Sequence, residues 1–170
     1  MRRVVLTVAL ALSAALFAPS ARAQTPEVER LLRHGVELRQ QGDHAAALAE
    51  FERAHALAGT PRTLAQVALA EQALGRWVAA ESHLREALRS TEDPWIVRNR
   101  GALDGALGVI AQHVGQVMVT ANVAGVSITV NGHEGASLPW SAPVRVDAGE
   151  VELSARFDGR TESRRVQVSA

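Results

Sequence analysis

The sequence predicts an α+β protein of two domains, a short stack of α-helical hairpins closed by a capping helix and followed by a small antiparallel β-sandwich. Three observations carry this. The phrase GDHAAALAEFERA, starting at Gly42, is echoed 33 residues later by GRWVAAESHLREA, starting at Gly75. A capping residue followed by proline recurs at Thr25-Pro26, Thr60-Pro61 and Asp93-Pro94. After Gly115 the apolar residues change from a helical period to strict alternation, the period of a strand with one buried face.

Residues 1–23 read as a secretory signal peptide. Two arginines precede an apolar run from Val4 to Ala18, and the small residues Ala21-Arg22-Ala23 offer a cleavage site. The run is shorter than the roughly 20 apolar residues a membrane-spanning helix needs, so no stable membrane span is expected after cleavage. Export to the periplasm or the outer cell surface follows as an expectation. Cleavage after Ala23 would remove three arginines and no acids, leaving 15 arginines against 18 Asp plus Glu. A nucleic-acid partner, which selects for a basic face, is not expected. The chain has no cysteine, so an exported form must be held by packing alone.

Residues 24–92 read as two helical hairpins. Proline is welcome at the first helical position, where its missing N–H would be unpaired anyway. Gly42 and Gly75 suit the left-handed residue that ends a first helix, and Asp43 suits the cap of a second. Ala47, Phe51 and Ala54 lie at i, i+4 and i+7 and are matched by Ala80, Leu84 and Ala87. Small residues let two helices approach closely while the Phe or Leu fills the space between them, and Gly35 and Ala68 supply the small position on the first helix. A fixed period in this range marks a stacked repeat.

On these residues the helical part resembles the tetratricopeptide repeat family. Leu31, Gly35, Leu38, Gly42, Ala47, Phe51 and Ala54 follow the pattern in the first unit, and Leu64, Ala68, Gly75, Ala80, Leu84 and Ala87 in the second. The aromatics usual at Leu31 and Leu38 are missing. The resemblance implies a groove lined by the first helix of each unit, which here would present Leu32, Val36, Arg39 and Gln40 with Arg62, Ala65, Leu69 and Gln72. Two arginines beside aliphatic side chains suit an acidic or C-terminal peptide end.

Residues 93–115 begin a third unit without completing it. Ile96, Leu103, Leu107, Ile110 and Val114 form an apolar stripe, and no alanine–aromatic second helix follows. A helix here would cover the open face of the second unit, as the end of a stack requires. Trp77 and Trp95 are expected to pack between helices and to seal the cap.

In residues 116–170, Val117, Val119 and Ala121, then Val126, Ile128 and Val130, then Val151, Leu153, Ala155 and Phe157, and finally Val166 and Val168 alternate with polar residues. Turn pairs Asn131-Gly132, Ala148-Gly149 and Asp158-Gly159 separate four or five short strands. The spacing of Gly125, Asn131-Gly132, Gly135, Pro139, Ala148-Gly149 and Gly159 resembles the PEGA domain, a small β module of exported bacterial proteins. The tetrapeptide that names that family is here Val123-Ala124-Gly125-Val126, which keeps only the glycine. Trp140, between Pro139 and Pro143, is a candidate contact for a sugar or a partner, with the sandwich edge as its alternative place.

Much chemistry is excluded by absence. All 18 basic residues are arginine, which removes lysine-based Schiff-base and phosphate-loop chemistry, and the lack of cysteine removes thiol catalysis. The six histidines have no metal-ligand spacing; His44, His55 and His83 are expected on solvated helix faces. Glu50/Glu52 and Glu150/Glu152 are spread along exposed faces rather than paired across a cleft. No catalytic residue, metal or cofactor is expected. The sequence therefore points to a non-enzymatic exported scaffold that binds a protein or peptide in the cell envelope. The alternative is a β module binding carbohydrate or cell-wall polymer on a helical arm. A homodimer through the helical face is a further candidate assembly.

Overall fold

Loops of two to five residues join the five helices of the computed structural model, which describes residues 21–170. The helices are α1 (Ala21–Gln40), α2 (His44–Ala58), α3 (Pro61–Ala73), α4 (Trp77–Leu88) and α5 (Pro94–Ala111). Loops this short force consecutive helices to be neighbours, and each helix packs on the next. Six strands follow in two antiparallel sheets: β1 (Val114–Val117), β2 (Ser127–Val130), β3 (His133–Ser137), β4 (Val144–Asp147), β5 (Gly149–Phe157) and β6 (Arg160–Val168). The α+β class is as expected. The apolar run from Val4 to Ala18, on which the expectation of a signal peptide rests, lies outside the described residues.

The caps follow the sequence closely in two of three cases. Thr60 and Thr63 form a reciprocal capping box at α3, and Asp93 accepts from the backbone N–H of Trp95 and Ile96 at α5, both at 2.9 Å. The third start differs. Helix α1 begins at Ala21, so Pro26 stands inside it rather than at its first position. A proline there withholds one bond, the one to the Arg22 carbonyl. In a chain cut after Ala23, Pro26 would stand in the first turn, where that loss costs nothing.

The two hairpins turn identically. Asp43 N–H donates to Leu38 C=O and Arg76 N–H to Glu71 C=O, at 3.0 and 2.9 Å, across Gly42 and Gly75 with φ of +84° and +71°. This six-to-one bond with a left-handed residue satisfies the last helical carbonyls. Between the helices, a Cβ at Gly35 would lie 2.5 Å from Phe51 Cε1, so the ring occupies the volume of the missing side chain. Ala47, Phe51, Ala54, Ala68, Ala80 and Leu84 are all fully buried, and Ala87 nearly so. The first core joins α1, α2 and α3. The second joins α3, α4 and α5 and runs on through Ile110 to Val114 at the start of β1.

The sheet half departs from its alternation pattern in three ways. Its first strand is Val114–Val117 rather than 117–121, because its partner β4 is only four residues long and pairs Val114 with Asp147 and Val117 with Val144. Strand β3 carries no alternation in its sequence, His133-Glu134-Gly135-Ala136-Ser137; it is drawn into the sheet by the Asn131-Gly132 turn, where both residues have positive φ, the turn that matches strand twist. The Ala148-Gly149 pair is a corner between sheets, not a hairpin, since β4 belongs to the β1 sheet and β5 to the sheet ordered β3-β2-β5-β6. Val117, Val146 and Val151 from both sheets share one cluster. Along β5 burial fades, from a fully buried Val151 through half-buried Leu153 and Ala155 to Phe157, 47% exposed.

The halves are joined by specific contacts. Trp77 at the start of α4 stacks on His113, ring centroids 3.9 Å apart. Asp147 Oδ1 accepts from the Val78 N–H at 3.3 Å. Arg145 of β4 donates twice to the buried Glu81 of α4, at 2.8 and 2.6 Å.

Candidate functional site

Two adjoining cavities run along the face formed by α1, α3 and α5. The larger, about 480 Å³, is lined by Val28, Glu29, Leu32 and Arg62 together with Leu57 and the α5 residues Trp95 and Arg98. The smaller, about 270 Å³, continues past Leu32 and Arg62 to Arg33, Val36, Glu37, Gln40 and Gln66. Leu32 and Arg62 line both, so the two form one groove.

The 33-residue period explains its composition. Glu29, Arg62 and Trp95 occupy equivalent positions on successive first helices, as do Leu32, Ala65 and Arg98. A stack repeats its geometry, so equivalent positions align on one face, where all but the fully buried Ala65 line the groove. Extending the period into α5 would have identified Trp95 and Arg98 from the sequence. Treating α5 only as a cap concealed them.

Of the residues expected to line the groove, Leu32, Val36, Gln40 and Arg62 come together there. The others sit elsewhere. Ala65 is fully buried and Leu69 packs on the second core. Gln72 is half-buried on the last turn of α3.

The two arginines expected to hold an anion are engaged within the protein. Arg62 makes a two-pronged pair with Glu29, at 2.6 and 3.1 Å. Arg39 donates to Gln66 Oε1 at 3.3 Å and lies over the Phe51 ring, 5.9 Å from its centroid. The groove's other arginines, Arg33 and Arg98, are exposed side chains that make no ion pair among the described residues, and they share the lining with Glu37 and with Asp93, the cap of α5. The same groove presents apolar surfaces of Val28, Leu32, Val36, Leu57 and the half-buried indole of Trp95.

Two of the helical histidines tie helices together while remaining partly exposed. His83 Nδ1 lies 2.7 Å from the buried carboxylate of Glu71, and His55 Nδ1 lies 2.9 Å from Thr63 Oγ1. Both partners sit on α3, whose central position leaves polar side chains few routes to water. The Nδ1 of His44 is buried without a hydrogen-bond partner. Among the described residues no group of three or more His, Cys, Asp or Glu is placed to hold a metal ion, and no helix is long and apolar enough to cross a membrane.

Trp140 packs against the apolar residues of both sheets and is half-buried. A separate polar cavity on the larger sheet, about 260 Å³, is lined by Ser127, Thr129, Ser137, Ser154, Arg156 and Thr161 among others, with no aromatic ring.

No protein-family model, curated protein or solved structure matches the chain.

Proposed function

We propose that this protein is an exported, non-enzymatic scaffold whose tetratricopeptide-like helices capture an acidic peptide segment of a cell-envelope partner, with the sheet half as an attached PEGA-like module. The observation that carries the reading is the continuous groove along α1, α3 and α5, in which the exposed Arg33 and Arg98 stand beside apolar surface. Unpaired guanidiniums favour carboxylates through charge-assisted, often two-pronged hydrogen bonds. The aliphatic stretch and the Trp95 indole suit apolar side chains alternating with the acids. Export rests on the pattern of the first 23 residues.

The carbohydrate-binding alternative has less support. Its candidate ring, Trp140, has much of its surface against the sheets, and the polar cavity nearby offers no stacking platform.

The test is binding of the purified chain to an array of short peptides varied in charge and apolar content. Enrichment of Asp or Glu beside Leu, Ile or Phe is expected. Arg98→Glu and Trp95→Ala should each reduce the retained signal about tenfold, the worth of one charge-assisted bond or one buried aromatic contact. Arg53→Gln, on the exposed face of α2, should change nothing. Retention indifferent to peptide charge, or equally sensitive to Arg53→Gln, would reject the reading.

A further inference from the structure

A second cleft lies where the helices meet the sheets. About 480 Å³ in volume, it is lined by Val78, Glu81, Ser82, Arg85 and Arg89 of α4 and its C-terminal end, by Gln116 of β1 and by Arg145 of β4. Three guanidiniums face one carboxylate among these lining residues.

The geometry is set by Glu81, which is buried on the sheet-facing side of α4. Its Oε1 accepts from Arg85 at 2.9 Å and from Arg145 at 2.6 Å. One oxygen therefore holds two like-charged groups from different halves of the molecule side by side. Arg89, one turn beyond Arg85, adds a third; its contact with Glu86 is exposed on both sides, with 75% and 61% of the two side chains accessible. Exposed pairs of this kind contribute little and exchange readily. The lining thus keeps a surplus of positive charge in a protein that carries none overall.

Donors remain after the internal bonds are counted. Arg145 and Arg85 each commit Nε and Nη2 to Glu81, leaving Nη1 of both; Arg89 commits only Nη1. The Ser82 hydroxyl and the Gln116 side-chain amide complete the polar lining. Donors approach from α4 on one wall and from β1 and β4 on the other. A planar carboxylate presents two oxygens in one plane, a part Glu81 already plays. A tetrahedral dianion presents oxygens in several directions and suits forks converging from two walls.

We infer that the cleft between α4 and the β1–β4 sheet is a phosphate-binding site, taking a phosphate or the phosphomonoester end of a larger molecule. The volume leaves room for a substituent on the phosphate. Clefts between two structural units are common places for small-ligand sites. Bound phosphate would bridge the halves and reinforce the junction that Glu81 and Arg145 hold.

The test is calorimetric titration of the full chain with inorganic phosphate, alongside sedimentation with phosphatidylcholine vesicles containing or lacking phosphatidic acid. Saturable one-to-one binding in either arm is expected. It should weaken about tenfold in Arg89→Gln and in Arg85→Gln, each of which removes one charged donor, and persist in Arg53→Gln. Arg89→Gln leaves every bond to Glu81 in place, so it reads the site without disturbing the junction. Binding only to the phosphatidic-acid vesicles identifies a lipid headgroup as the source; binding in the phosphate arm identifies the free anion. No saturable binding in either arm, or binding unchanged in both Arg89→Gln and Arg85→Gln, would overturn the assignment.

Discussion

The helical half and the sheet half face the same problem, closing a small core without disulfides, and reach different degrees of closure. In the helices a glycine or alanine stands wherever a neighbour's bulk must enter, and Leu31, Phe51, Leu84, Ile96, Leu103 and Ile110 are sealed from water. In the sheets Val151 is the one large side chain among the described residues that reaches that state, and β6 is largely exposed along its length. Helices joined by short loops bury the sides of each element against two neighbours. A pair of small sheets buries one face of each, and strands of four residues cover little of the other. The lesson is that the helical half is built to hold a shaped surface, while the sheet half depends on its docking for part of its order.

Mutations can break this comparison. The largest effect is expected from Phe51→Ala, about 3–5 kcal/mol in denaturant unfolding, since a sealed aromatic leaves a cavity between two helices. Gly35→Ala should cost about 1–3 kcal/mol by forcing its methyl into the same ring. Combined with Phe51→Leu, Gly35→Ala should cost less than the sum of the single changes, because the two groups compete for one volume. Val151→Ala, in the thinner core, should cost about 1.5–3 kcal/mol and leave the helical transition in place. If Val151→Ala cost more than Phe51→Ala, the ranking of the two cores would be wrong.

The junction gives a smaller, pH-dependent effect. Burial would raise the Glu81 carboxyl, but hydrogen bonds from Arg145 and Arg85 and their charges outweigh it and hold the group below its ordinary value of 4.5. A carboxyl depressed in the folded state contributes stability that is fully present above the unfolded value and is lost as pH falls through the folded one. Tryptophan emission, with Trp77 stacked on His113 at this junction, should therefore show an acid transition below pH 4.5. Glu81→Gln should remove that transition and cost about 1–2 kcal/mol at neutral pH, less than a fully buried pair because both arginines remain partly solvated. A transition unchanged in Glu81→Gln would assign it to other carboxylates. Arg53→Gln, on an exposed helix face, should stay within about 0.5 kcal/mol of the parent.

The same contrast governs what the sequence discloses. The helical hairpins are legible because their signals are local and repeated: Thr60 and Asp93 as caps, Gly42 and Gly75 as turns, Phe51 and Leu84 at matched depth. Strand β3 was not legible, since His133 to Ser137 has no alternation and is ordered by the turn before it and by β2. The turn at Ala148-Gly149 was legible but not its role as a corner between sheets, because alternation says which residues face inward and not which sheet a strand joins. In the groove, Leu32, Val36, Gln40 and Arg62 were reached through the family resemblance, which implies a groove along the first helices. The state of Arg62 was not, because its partner Glu29 lies one repeat away and only stacking brings the two together.

Photo-crosslinking tests the central claim, that the α1–α3–α5 face is where a partner sits. A benzophenone side chain would replace Leu57, which lines the groove, or Val109, 45% exposed on α5 and absent from the groove lining. In envelope extract the Leu57 probe should capture polypeptide at acidic, aliphatic-rich segments, and Arg98→Glu should abolish that capture while the Val109 probe yields none. Capture from Val109 with none from Leu57 would place the partner on the other side of the helices and contradict the account.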